Sequence, residues 1–145
     1  MFLLDTNAVS ELRKVRSGRA DTQVARWAGR AKSDTFYLSA ITVMELEVGV
    51  LRMERRDPKQ GAALRAWLDD SVLPSFAGRI LPVDTPVAQR CARLHVPDPR
   101  GDRDALIAAT ALVHGMTVVT RNTADFELIG VALLNPWATE KSEPL

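Results

Sequence analysis

The chain predicts an α/β fold, a parallel sheet of four to five strands flanked by helices. Two observations predict it. Short apolar, β-prone runs alternate with segments of helical periodicity, the pattern of βαβ units with right-handed crossovers. Four acids, Asp5, Glu45, Asp104 and Asp125, each lie just past such a run or in the first turns of the helix after one. In an open α/β sheet those positions meet in the crevice outside the carboxyl ends of the strands.

Phe2-Leu3-Leu4 reads as a buried first strand that Asp5 ends. A helical segment follows near Ser10 to Arg13. A second helix spans Asp21 to Ala31, where Val24, Trp27, Ala28 and Ala31 recur at helical spacing. Phe36-Tyr37-Leu38 is the second strand. A long helix from Ile41 to Arg56 carries an apolar stripe of Ile41, Met44, Val48 and Leu51. Asp57-Pro58 starts the next helix, with Gln60 completing a capping box. Ile80 to Val83 is the third strand, and Thr85-Pro86 opens another helix by a cap-then-proline signal.

His95 to Arg103 holds Pro97, Pro99 and Gly101 and reads as a loop. It leads into ALIAATALVH, a helix apolar nearly all round and hence buried, with Gly115 as its stop. Thr117 to Thr120 is the fourth strand and Val131 to Leu134 the fifth. Residues 1–137 read as one domain and 138–145 as a polar tail.

Bulk properties exclude several classes. With 145 residues, 46% of them apolar, the chain has enough to bury a core, so it is not a disordered segment. A net charge of +1 means that any basic surface is local. Its one cysteine, Cys91, rules out an intrachain disulfide and suits a reducing compartment. The N-terminus has no basic, apolar signal-peptide pattern, and no apolar run approaches the ~18–20 residues that span a bilayer. A soluble, cytoplasmic protein is expected.

Each acid also suits a purely structural role. Asp5 suits a turn or helix cap, and Glu45 a first-turn acid favoured by the helix dipole. Glu47 competes with Glu45 but faces roughly the other side. Asp104 also suits a cap, and Asp102 two residues earlier competes for either job. Asp125 suits the turn in TRNTADF. Jointly, four carboxylates at one sheet edge repel one another unless a cation lies between them. Two histidines away from ligand spacing and one cysteine give no zinc set, so an all-oxygen site for Mg²⁺ or Mn²⁺ is expected. No Gly-rich phosphate loop and no nucleophile elbow appear.

These residues carry a resemblance. LLDTN, SAITVMELEVGV, FAGRILPVD, DALIAATA, TRNTADF and NPW resemble PIN-domain ribonucleases, in particular the VapC/FitB-type toxins of bacterial toxin–antitoxin pairs. The likeness covers nearly the whole chain. It implies a PIN-like domain and a catalytic set of Asp5, Glu45, Asp104 and Asp125, with Asp5 and Asp104 as metal ligands. Asn7, Thr120 and Asn122 match polar residues beside the site, whereas Asp102 has no fixed family counterpart. The resemblance also implies a homodimer and a small VapB/FitA-like antitoxin that wraps the toxin and blocks the acidic pocket.

The expected reaction is endonucleolytic cleavage of RNA by metal-activated water, with no covalent protein intermediate. Cations near the first motif (Arg13, Lys14, Arg16, Arg19), in the middle (Arg52, Arg55, Arg56) and beside the acids (Arg100, Arg103, Arg121) are candidates for substrate grip. Arg121 is the first choice for a phosphate contact. A receiver-type signalling domain shares an acidic pocket but needs a lysine after a late strand, and Val131 to Trp137 has none. A haloacid-dehalogenase-like phosphatase wants an acid where Asn7 stands. A catalytically silent interaction protein on the same fold predicts lost carboxylates, and all four are present.

Overall fold

The computed structural model describes residues 1–138. Its five strands are β1 (Phe2–Leu4), β2 (Phe36–Ser39), β3 (Ile80–Leu81), β4 (Thr117–Val119) and β5 (Leu133–Leu134). They form one sheet in the order β3-β2-β1-β4-β5, and every pairing is parallel. The register sets Phe2 opposite both Phe36 and Thr117, and Leu4 opposite Val119. The helices are α1 (Thr6–Leu12), α2 (Thr22–Arg30), α3 (Ala40–Arg56), α4 (Pro58–Trp67), α5 (Leu73–Ser75), α6 (Thr85–Leu94), α7 (Asp102–His114) and α8 (Ala124–Glu127). A wide π-type turn at Leu68–Val72 joins α4 to α5.

β1 is central, and its alternation divides the core in two. Leu4 points to a cluster with Val9, Phe36, Leu38, Leu46 and Val50, under α1 and α3. Leu3 points to the other face, with Ile107, Ala108, Val118 and Phe126, under α7. On the first face Trp27 stacks on Phe36 with centroids 5.1 Å apart and meets Phe2 edge-on at 5.6 Å. A third cluster, Val87, Cys91, Ala105 and Ala109, joins α6 to α7, where small alanines let the helices approach. Leu3, Leu4, Val118 and Val119 are fully buried on both faces of the sheet, so β1 and β4 show no alternation of apolar and polar residues there.

Several local expectations change. The first helix begins at Thr6, not near Ser10, because Asp5 caps it directly. The buried face of α3 is Thr42, Leu46 and Val50. Met44 and Leu51 of the expected stripe are 41% and 54% exposed. Sheet contact therefore selected a face one position round from the one the apolar count suggested. Asp57 caps α4 through the N–H groups of Lys59 and Gln60, but the capping box does not close: the Asp57 N–H is already given to Met53 O at the end of α3. The cap of α6 is Asp84, which accepts from Val87 N, so Thr85 is the first helical residue. β3, β4 and β5 are shorter than expected, with Thr120 just beyond β4. Of the expected polar tail, residues 139–145 lie outside the described residues.

No helix among the described residues is long and apolar enough to cross a membrane.

Candidate active site

The four acids come together at the carboxyl edge of the central strands. Asp5 follows β1, and its N–H extends the ladder by donating to Val119 O at 2.9 Å. Its side chain is 6% exposed. One carboxylate oxygen accepts the Thr6 N–H at 2.8 Å. The other accepts from Asn7 Nδ2 at 3.2 Å and from the Thr120 hydroxyl at 2.9 Å. Asp5 is thus a helix cap and also a carboxylate aimed at the sheet edge by three donors. The two readings of this residue are compatible.

Thr120 and Asn7 hold the neighbouring loop. The Thr120 N–H donates to Leu134 O at 3.1 Å, and its hydroxyl oxygen accepts the Asn122 N–H at 3.0 Å. Asn7 Oδ1 accepts the Arg121 N–H at 3.1 Å. The backbone of the Thr120–Asn122 turn is therefore tied to the first motif by side chains. The Arg121 guanidinium lies over the Trp137 ring, 5.7 Å from its centroid.

Glu45 stands on the rim of the buried face of α3, half-buried, one turn into the helix that Ser39 caps. Its Oε1 accepts the Thr6 hydroxyl at 2.9 Å, and its Oε2 lies 3.8 Å from Arg103 Nη1. Glu47 belongs elsewhere: it pairs with Arg65 of α4, which holds its carboxyl below the usual range. Thr6 was not singled out in the sequence. Its neighbour position to Asp5 was the available signal, but its partner Glu45 is 39 residues away.

Asp104 lies in the first turn of α7, whose N-cap is Gly101, so Asp104 is not the cap. Burial, and then the charges of Asp5, Asp125 and Glu45, push its carboxyl above the ordinary aspartate range. All four acids thus share one field. Asp125 enters from the first turn of α8, exposed at the rim, with its N–H on Asn122 O at 3.2 Å. Asp102 turns away. Its side chain is 92% exposed, 3.7 Å from His95 Nε2, and its charge bears on Cys91, whose thiol is raised by burial first and by Asp102 second.

Among the described residues no three His, Cys, Asp or Glu side chains are close enough to hold a metal ion as they stand. The donor set nevertheless fits a hard divalent cation. It is all oxygen, and Asp104 is driven toward its neutral form by burial first and then by the neighbouring acids, a penalty that a cation offsets.

Comparison with known proteins shows the family. A family model described as PIN domain matches residues 2–131. The chain is 40% identical over 142 residues to VapC ribonuclease Y4jK of Sinorhizobium fredii (strain NBRC 101917 / NGR234), covering 94% of this chain and 98% of that one. It is 41% identical over 142 residues to toxin FitB of Neisseria gonorrhoeae (strain ATCC 700825 / FA 1090), covering 94% and 99%. A solved structure of FitAB bound to an IR36 DNA fragment superposes with a TM-score of 0.86 at 39% identity, over 98% of this chain and 99% of that one.

Proposed function

This chain belongs to the PIN-domain family and is a VapC/FitB-type ribonuclease toxin, and from that premise we propose that it cuts RNA by metal-assisted hydrolysis at the four-carboxylate edge. The observation that carries the reading is Asp5, aimed at the sheet edge by Thr6, Asn7 and Thr120, beside an Asp104 carboxyl raised by burial first and then by Asp5, Asp125 and Glu45.

In this reading Asp5 and Asp104 hold the cation, and Glu45 and Asp125 complete the acidic set. A divalent cation, Mg²⁺ with Mn²⁺ as a substitute, supplies when bound the positive charge that acidifies water and offsets charge on the scissile phosphate. Asp5 needs no reorganisation, because Thr6, Asn7 and Thr120 already aim it. The Thr6 hydroxyl fixes Glu45 in the same way. Arg103 stays beside Glu45, where it limits the repulsion the acids exert on an approaching phosphate. Arg121 offers its guanidinium from the Trp137 ring as a phosphate contact on the far lip. Asn122 shapes that lip through its N–H, and Asp102 takes no part in the chemistry.

The partner is a small antitoxin of the VapB/FitA kind, and the protein acts in the cytoplasm as a homodimer. Residues 1–137 form the single catalytic domain. A silent interaction protein on this fold is the second reading, and the complete carboxylate set disfavours it.

The test is cleavage of total RNA with the product ends mapped. Endonucleolytic cutting with Mg²⁺, abolished by a chelator, is expected. Undiminished cutting in excess EDTA would overturn the metal mechanism. Expression alone is expected to arrest bacterial growth, and co-expression of the antitoxin to relieve the arrest. Unaffected growth with well-expressed, folded protein counts against the toxin role.

A further inference from the structure

A small cavity of about 160 Å³ opens beside the acids, between α1, α3 and α4. Thr6, Ser10 and Glu45 stand at its polar end, and Gly49, Leu64 and Trp67 form much of the remainder. It is smaller than the roughly 300–1,000 Å³ of an ordinary small-molecule site, so it has room for one ring system rather than for a cofactor. Glu45 belongs both to this cavity and to the acid set. Trp67 belongs both to this cavity and to the adjoining groove of about 290 Å³, which Arg13 and Arg16 line. The Arg13 guanidinium stands 5.5 Å from the centre of the Trp67 ring.

We propose that this cavity receives one nucleobase of the RNA substrate, stacked on Trp67, next to the phosphate being cut. The proposal rests on the ribonuclease reading above. Its support is the order of chemistries along the surface: acids, then an aromatic-floored pocket, then arginines. A single strand whose scissile phosphate lies at the acids has its neighbouring base within reach of Trp67 and its next phosphate near Arg13 and Arg16. Single-stranded RNA is read in this manner, by splayed bases stacked on aromatic rings with cations along the backbone. Ser10 and Glu45 at the polar end supply a hydroxyl and an acceptor for a base edge.

Gly49 offers a way to fill the pocket without replacing any of the acids. A Cβ built there meets nothing within 4 Å, and leucine is a better helix former than glycine. The experiment compares wild type, Gly49→Leu and Trp67→Ala. Cleavage sites are mapped on total RNA. Single-turnover kcat/KM is then measured on an oligomer carrying the preferred site, and on the same oligomer made abasic beside the cut. For both variants the base preference at one flanking position is expected to flatten, and kcat/KM to fall about 5- to 150-fold, the range of one lost stacked base. Wild type is expected to lose a similar factor on the abasic oligomer, and Gly49→Leu to lose nothing further there.

A folded Gly49→Leu protein that keeps its rate and preference overturns the proposal, as does one that loses equally on intact and abasic RNA. Normal cleavage with weakened antitoxin binding also overturns it and assigns the pocket to a protein segment. Should Trp67→Ala fail to fold, Gly49→Leu and the abasic oligomer decide alone. Wild type that cuts no RNA at all sinks the ribonuclease reading itself, a result distinct from cutting that depends on Asp5 and Asp104 but ignores Gly49.

Discussion

The Thr120 hydroxyl donates to Asp5 Oδ2 at 2.9 Å, and the same oxygen of Thr120 accepts the Asn122 N–H at 3.0 Å. One buried hydroxyl therefore sets the direction of a carboxylate at the end of β1 and the turn after β4. Replacing Thr120 by valine keeps the volume but leaves two groups short of a partner, at a cost of about 1–3 kcal/mol. The rate is expected to fall, by up to about 100-fold if Asp5 swings by an ångström. The Mg²⁺ concentration for half-maximal rate is expected to rise, and Thr120→Ser to restore both. An unchanged Mg²⁺ requirement in Thr120→Val would show that Thr120 supports only the fold.

Asp5→Asn and Asp104→Asn should each lose at least ~100-fold in single-turnover RNA cleavage, the scale of a lost transition-state electrostatic contact. Asp102→Asn should lose much less, since its side chain points to His95 and solvent. The reverse ranking of the two acids in α7 would mean that the ligand is misassigned.

The raised Asp104 carboxyl makes metal-free stability depend on pH with a definite sign. Below 3.8, its ordinary value, the group is protonated in both states and contributes nothing. As pH rises through that value the unfolded chain ionises first, so the folded state binds more protons and stability falls. The loss is complete once pH passes the raised folded value. Chemical denaturation of metal-free protein across this range should show a decline that is weaker in Asp104→Asn. An equal decline in both proteins would assign it to other groups.

Mg²⁺ should raise the Tm of wild type and raise that of Asp104→Asn much less, because a ligand stabilises in proportion to its binding to the folded state. Metal-free Asp104→Ala should be no less stable than wild type, since relief of repulsion offsets the lost side chain and Gly101, not Asp104, is the cap. A metal-free Asp104→Ala protein destabilised by about 0.5–2 kcal/mol, the cost of a lost cap, with an unchanged Mg²⁺ response would reject Asp104 as a ligand.

Gly61 tests the α3–α4 hairpin. A Cβ there would fall inside the Glu54 backbone, so the helices cannot keep their distance with any larger residue. Alanine normally stabilises a helix relative to glycine by about 0.8–1.0 kcal/mol. Here Gly61→Ala should instead destabilise by about 1–3 kcal/mol, read from urea unfolding. The Arg65 pairs with Glu47 and Glu54, which cross the same hairpin, should weaken with it.

The parallel sheet was legible because β1 is apolar throughout and β4 is rich in valine, with helical segments between the strands; Asp5 stood out because it directly follows β1. The exposed side of α3 was misread. Met44 and Leu51 are apolar but outward, while Thr42 is polar and fully buried, with its hydroxyl 3.5 Å from Leu4 O. Counting apolar residues cannot find a face whose centre is a threonine. The choice between Asp102 and Asp104 was open in the sequence for a similar reason. Both are in the first turn of α7, and only the packing of α7 on the sheet turns one inward. Thr6 and Arg103 as partners of Glu45, and Trp67 beside it, depend on long-range placement that no local pattern records.

Met1 already takes part in the sheet, its carbonyl accepting the Thr117 N–H at 3.2 Å. A parallel sheet has two unlike rims, and residue 1 lies on the rim opposite the acids. Polypeptide joined ahead of it emerges away from the catalytic crevice. A fluorescent reporter fused to the first residue should therefore leave RNA access to the crevice open, with the cleavage rate unchanged.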